Sequence, residues 1–228
     1  MPPPFCSKGV GGLSLKQRDR DRDHKEQERK LIPIILIALG LLATSIEANE
    51  NSLDDTAYWD RLGQSIAPLI LPTLKTIALA GALRAARSLG DTEQQDSDSW
   101  EESWQRRSRQ FIIDFLTISG TISIIKTTYE AYRDRGLEST LSWTRSTERA
   151  NKIAVTEATR FYSWGSLEEK KFRDINDKTW YTALDDNVCE VCKPMEGITV
   201  PIDEDFTLPT GERVPHAPAH PECRCEDR

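Results

Sequence analysis

A chain of 228 residues can form one domain, or one domain with a small satellite. A hydrophobic share of 38% and a mean hydropathy of −0.54 are polar for a compact globule, so part of the chain is expected to be solvated, extended or packed on partners. The net charge of −7 and pI near 5.2 argue against a dedicated basic surface for DNA.

Residues 1–30 hold 8 Lys/Arg against 5 Asp/Glu, a formal +3, and almost no large apolar side chain. They predict a solvated tail, disordered or ordered only against a partner. Residues 1–15 lack the basic start and apolar run of a secretory signal. The thiols are therefore expected in a reducing cytosol, where clustered cysteines favour metal over disulfide.

Leu31 to Ile46 is an apolar run, short of the roughly 20 residues that a membrane span needs. Pro33 lies near its start, where the first turn of a helix tolerates proline. The run predicts a helix buried in the fold or packed on a partner, with no membrane. Residues 66–89 are apolar but interrupted by Pro68, Pro72 and Lys75. They predict a helix from near Pro72 to Gly90, with Arg84 and Arg87 suiting its C-terminal dipole. Asp91 to Ser99 reads as a polar linker. Phe111, Phe115, Ile118, Ile122, Ile125, Tyr129 and Tyr132 recur at spacings 4, 3, 4, 3, 4, 3 before Gly136. That seam predicts a helix packed in a core against a facing helix. A further helix is expected from Thr147 to Trp164, ended by Gly165, with Ile153, Ala154, Ala158, Phe161 and Tyr162 inward. Glu157 shares that face. A buried carboxylate needs a partner, so it either ties the helix to another element or sits at the edge of the stripe and reaches water.

After Asp174 the character changes. Trp180 to Leu184 reads as a strand and Ile198 to Ile202 as a second, preceded by Gly197, with a C-x-x-C turn between them. Pro201, Pro209, Pro215, Pro218 and Pro221 punctuate a long irregular return. Residues 176–228 carry 12 Asp/Glu against 5 Lys/Arg, a formal −7. So small a unit buries little core and needs a staple. The expected fold class is mainly α with a small C-terminal β-hairpin knob, α+β overall. Residues 1–30 are the tail, 31–175 the helical body and 176–228 the knob.

The staple is legible in the cysteines, four of whose five fall from Cys189 onward. Cys189-x-x-Cys192 is followed by a long spacer, 193–219, and then by His220-Pro-Glu-Cys223-Arg-Cys225. Two thiolates three positions apart turn back on one ion through a tight knuckle, and a second pair closes the tetrahedron. Cys189, Cys192, His220 and Cys223 are the expected zinc ligands. Cys225 can replace either member of the second pair, and disulfides or free thiols stay open. Four protein ligands close a site, which makes the zinc structural. His216 reads as loop. Asp185 and Asp186 read as turn formers beside the hairpin rather than a metal-activating pair. No G-x-x-x-x-G-K-[ST], H-E-x-x-H or G-x-S-x-G occurs. The chain is therefore expected not to be an enzyme. A metal-dependent nuclease and a zinc-ribbon nucleic-acid binder are the alternatives.

Together, W-Y-T-A-L-D-D-N-V-C-E-V-C from Trp180, the following glycine Gly197, and A-P-A-H-P-E-C-R-C resemble the C-terminal signature of phage Mu F-like minor head proteins, also called head morphogenesis proteins. The helix Ile153-Ala154-Val155-Thr156-Glu157 resembles the family's I-A-R-T-E segment and departs from it at Val155, where the family usually has arginine. Lys126-Thr127-Thr128 and Arg135-Gly136-Leu137 also fit, so the resemblance covers roughly residues 100–228. It implies a structural component of a tailed-phage virion, assembled in the host cytoplasm and acting with the portal protein in procapsid assembly and DNA packaging or ejection. Further partners it implies are the major capsid protein, the scaffold and, weakly, packaged DNA. Glu157, Trp180 and Gly197 are the expected structural residues.

Overall fold

The computed structural model describes residues 15–90, 101–106, 121–182 and 188–227. The predicted linker Asp91–Ser99, the seam residues Phe111, Phe115 and Ile118, and residues 183–187 with Asp185 and Asp186 lie outside them.

Helix α1 spans Leu15–Ala48. Leu31, Ile35, Ala38, Leu39, Leu42, Ala43 and Ile46 form its buried face. Residues 15–30 are thus helix rather than solvated tail. His24 and Gln27 are buried too, and they continue the same stripe one and two turns upstream. Because the face there is polar, apolar periodicity could not show it. His24 stacks against Tyr162 with ring centroids 4.9 Å apart, and Asp23 pairs with Arg84 at 2.6 Å.

Helix α2, Thr56–Ser88, folds back along α1 after a 3-10 turn at Glu50–Ser52. It starts well upstream of the expected Pro72, where Asp55 accepts from the Ala57 amide at 2.9 Å. Trp59 Nε1 donates to the Leu53 carbonyl at 2.9 Å and Tyr58 meets Ser45 at 3.0 Å, which fixes the turn. Three prolines lie inside these helices: Pro33, Pro68 and Pro72. Each removes one N–H to the carbonyl four residues back. Those carbonyls belong to Arg29, Gln64 and Pro68, all exposed like the prolines themselves, so water can take up each vacated acceptor. Residues 22–48 of α1 and all of α2 are long and apolar enough to cross a bilayer by length and composition. Here they bury one face of each in the helical core.

Residues 101–106 are helical, and their Trp104 meets Trp164 at 6.1 Å. Helix α3, Thr121–Arg135, carries the C-terminal part of the seam. Ile125 is buried, and Tyr129 and Tyr132 lie 5.3 and 6.4 Å from the Trp59 ring. The facing helix the seam requires is α2. Helix α4, Leu137–Thr144, follows Gly136, whose φ of +77° suits glycine. Helix α5, Thr147–Phe172, is capped by Ser146, which accepts from the Arg149 amide. It runs through Gly165 rather than ending there.

The reason is a close crossing. A Cβ on Gly165 would lie 1.8 Å from the Ala78 carbonyl oxygen of α2, and one on Gly81 would lie 1.9 Å from the Tyr162 carbonyl oxygen of α5. The two backbones touch through paired glycines. At the other end of α5, in its first turn, buried Arg149 ties α3, α4 and α5 together. It donates to Thr144 Oγ1 at 3.0 Å, the Ile124 carbonyl at 3.1 Å and Thr128 Oγ1 at 2.6 Å, and it lies 3.8 Å from the centre of the Trp143 ring.

The C-terminal unit is a sheet of order β2-β1-β5 with β1 Asp177–Tyr181, β2 Thr199–Pro201 and β5 Glu226–Asp227, all antiparallel. A second hairpin pairs β3 Phe206–Thr207 with β4 Arg213–Val214. The expected pair of strands is present, with β1 beginning at Asp177 rather than Trp180. Trp180 and Phe206 cross edge-to-face at 5.1 Å in a core with Met195, Leu208, Val214, Cys192, Cys223 and Cys225. The fold is mostly helical with a small antiparallel sheet, α+β.

The knob lies along α5. Lys170 Nζ donates to the Asp227 carbonyl at 3.1 Å, and the Glu222 amide donates to Thr156 Oγ1 at 3.2 Å. His24 and Glu226 approach to 4.0 Å.

Candidate metal centre

Cys189 and Cys192 form a tight knuckle. The amides of Cys192 and Lys193 both donate to the Cys189 carbonyl at 3.0 Å. A 3-10 turn at Lys193–Met195 then leads to Gly197, at φ +77°. The Gly197 amide donates to the Trp180 carbonyl at 2.9 Å, and the Trp180 amide to the Ile198 carbonyl at 2.8 Å. Buried Trp180 and exposed Gly197 thus hold one side of the knuckle. The second arm turns at His220, whose carbonyl accepts from the Cys223 amide at 3.2 Å.

The two arms converge. Nε2 of His220 lies 3.0 Å from Cys189 Sγ and 3.3 Å from Cys192 Sγ, and Cys192 Sγ lies 3.7 Å from Cys223 Sγ. Donor atoms group as Cys189, Cys192 and His220, and as Cys192, Cys223 and Cys225. Cys192 belongs to both groups. With zinc–sulfur bonds of about 2.3 Å, sulfurs on a tetrahedron stand about 3.7 Å apart, the Cys192–Cys223 separation. His220 Nδ1 donates to the Pro221 carbonyl at 2.9 Å. That bond holds the ring in the tautomer whose Nε2 lone pair faces the sulfurs, the arrangement of a metal-binding histidine.

Electrostatics point the same way. Cys192 is pushed up by its contacts with the Cys223 and Cys225 sulfurs and by burial. Cys223 is drawn down to about 2, chiefly by the Cys192 and Cys225 contacts. Burial raises Cys189, but the backbone and thiol of Cys192 and then His220 outweigh it and leave the group lowered. Burial opposes a proton on His220, yet the Pro221 carbonyl, Cys223 and Cys189 together raise it. The Cys192 contact lowers Cys225, but the Cys223 contact and burial outweigh it and leave it raised, so the negative charge of the cluster gathers chiefly on Cys223. Three or four thiolates with one imidazole are a donor set that zinc accepts.

His216, four residues before His220, belongs to neither donor group. It is buried, with Nδ1 bonded to the Ala217 carbonyl at 2.8 Å, and burial lowers it against the pull of Asp227. Asp227 accepts from the Ala217 amide at 3.2 Å and is raised by burial. Lys178, which no apolar pattern marks out, is buried, donates to the Pro215 carbonyl and lies 5.2 Å from the Phe206 ring centre. Its parity with Trp180 along β1 was the available signal.

Glu157 is buried, but its partner is Arg160 at 2.9 Å on the same helix, not another element. The neighbouring Thr156 makes the bond to the knob. Burial raises the Glu157 carboxyl, against the attraction of Arg160. A carboxyl so raised binds its proton more tightly folded than unfolded. Its contribution is fully present below the ordinary carboxylate range and is lost as pH rises through the folded value. Glu157→Gln is expected to remove that slope. In urea unfolding, the variant should lose less stability than the parent between about pH 5 and about pH 8. Equal losses would place the carboxylate in water.

Residues 123–227 match the family described as phage Mu protein F like protein. No curated protein and no solved structure matches the chain.

Proposed function

Residues 123–227 are a phage Mu protein F-like region, and from that premise we propose that this chain is a structural minor head protein of a tailed phage or prophage. It acts with the portal protein during procapsid assembly, and through that position in DNA packaging or ejection. The observation that supports this reading is the span of the match. It takes in α3 from Ser123 onward, α4, α5 and the knob as far as Asp227, with the whole Cys/His cluster inside. The family is one of head morphogenesis proteins, so the chain's place is the virion.

Within this reading zinc is the resident ion, held by Cys189, Cys192 and His220 with Cys223 or Cys225. It supplies a structural cross-link between the two arms of the knob. The helical body offers the contact area toward the portal, with the major capsid protein, the scaffold and packaged DNA as further partners.

The test is placement. Intact particles from a strain carrying the gene, analysed by mass spectrometry and asymmetric cryo-electron microscopy, are expected to contain the chain at the portal vertex. Purified protein is expected to carry one zinc per chain and to leave DNA intact with added magnesium or manganese. Absence from particles, or metal-dependent DNA cleavage lost on substitution of Asp185, would overturn the proposal.

A further inference from the structure

The four sulfurs of the knob are not equally sheltered. Cys192, Cys223 and Cys225 are buried, at 1%, 4% and 3% exposure, whereas Cys189 is only half-buried. A reagent from solvent therefore meets the cluster at Cys189. Behind it the sulfurs form a relay. Cys189 Sγ lies within 4.8 Å of Cys192 Sγ, and Cys192 Sγ lies 3.7 Å from Cys223 Sγ. The first pair sits within one arm of the knob, with Glu190 and Val191 between its members. The second pair joins the two arms across the spacer 193–219. Cys192 is common to both.

We propose that Cys189 is a modification site for hydroperoxides, and that its oxidation converts the zinc staple of the knob into a Cys192–Cys223 disulfide. The proposal rests on zinc being the resident ion of this site. Thiolates are the nucleophiles at each step. The Cys189 sulfur attacks hydrogen peroxide, the O–O bond breaks, and Cys189 becomes a sulfenic acid as hydroxide leaves. The Cys192 thiolate displaces a second hydroxide from that sulfur and forms a Cys189–Cys192 disulfide. The Cys223 thiolate then attacks Cys192, forms the bridge between the arms and returns Cys189 as a thiolate. In sum, two thiolates lose two electrons, and one peroxide becomes two hydroxide ions.

Folding sets the direction of the last exchange. A disulfide that closes a long loop stabilises the folded unit more than one that closes a short loop, and so small a core needs a link between its arms. Once Cys192 is bridged, the site has lost the donor common to both groups, and the ion is released. The knob thus stays stapled on both sides of a redox boundary. A chain assembled in a reducing cytosol and released into oxidising surroundings crosses such a boundary.

The test uses the full chain, purified under reducing conditions with zinc bound. Stoichiometric hydrogen peroxide is expected to release one zinc and to consume two thiols per chain, read with a zinc-binding dye and by alkylation. Peptide mass spectrometry is expected to find Cys192 joined to Cys223. Cys225→Ser keeps the three sulfurs of the relay and is expected to form the same bridge. Hydrogen exchange should find the amides of Cys192, Lys193 and Cys223 still protected after oxidation, in contrast to their exposure when a chelator strips the reduced protein. Zinc retained under peroxide, any other final pairing, a sulfinic acid at Cys189 without a bridge, or amides laid open by oxidation would each overturn the proposal while leaving zinc as the resident ion. A reduced protein that holds no zinc would overturn the metal assignment and this proposal together.

Discussion

Gly165→Ala is expected to cost the helical body about 3 kcal/mol, although alanine is intrinsically the better helix former by about 1 kcal/mol. The added methyl would sit 1.8 Å from the Ala78 carbonyl oxygen and 2.6 Å from its carbon. Both are backbone atoms in the middle of α2, so no flexible side-chain end can yield. The helices must move apart, and the loosened crossing takes with it the packing of Ala78, Ala82, Ala158, Phe161 and Tyr162, all buried in one core. Gly81→Ala meets the Tyr162 carbonyl in the same way. Because either substitution separates the same pair of helices, the double variant should lose less than the two single losses added together. Urea unfolding followed by far-UV circular dichroism gives the values. A gain in stability for Gly165→Ala, the propensity result, would show that the crossing is not so close.

The second large effect belongs to the metal cluster. Removal of the metal by a chelator, or Cys192→Ser, is expected to abolish protection of the knob while the helices persist. Structural zinc in small peptide units has an apparent binding free energy of about 10–16 kcal/mol at neutral pH, and a unit with so small a core has little to replace it. Cys192 is the donor common to both groups. Its substitution should therefore outdo that of Cys189 or Cys225, each a member of one group. Hydrogen exchange is the direct readout. The amides of Cys192, Lys193 and Cys223, bonded to the carbonyls of Cys189 and His220, should become unprotected first. The stretch of α5 from Thr156 to Lys170 should loosen next, since these two bond Glu222 and Asp227 of the knob. Collapse of helicity throughout the chain would contradict the division into body and knob.

How much of this was legible in the sequence depended on whether a residue acts locally or through a distant neighbour. The C-x-x-C knuckle and the glycine before the second strand are local, and the structure has the knuckle between the two strands and Gly197 just ahead of β2. The convergence of Cys189 and Cys192 with His220 across the long spacer follows from a demand of chemistry, four donors for one ion, and so could be anticipated. Gly165 could not be read correctly, because a glycine that ends a helix and one that lets another backbone approach look alike until the other backbone is in place. Prolines 68 and 72 misled for a similar reason. Their cost depends on whether the vacated carbonyl faces water, which is settled by the packing of α2. His24 and Lys178 are buried polar residues whose partners lie far along the chain, and Gln27 is buried and polar too, so hydrophobic periodicity passed over all three. Glu157 was left between a tie to another element and the watery edge of the stripe, because its partner, Arg160, lies one turn along the same helix and leaves it buried.

The approach of His24 to Glu226 has a consequence for synthesis. The ribosome makes α1 well before β5, the strand that pairs with β1 and reaches the early turns of α1. A nascent chain halted anywhere before that strand holds the start of α1 without this neighbour. Closure of this contact therefore waits for emergence of β5, and a chaperone that shields the exposed helix until then would act throughout translation of the segments between them.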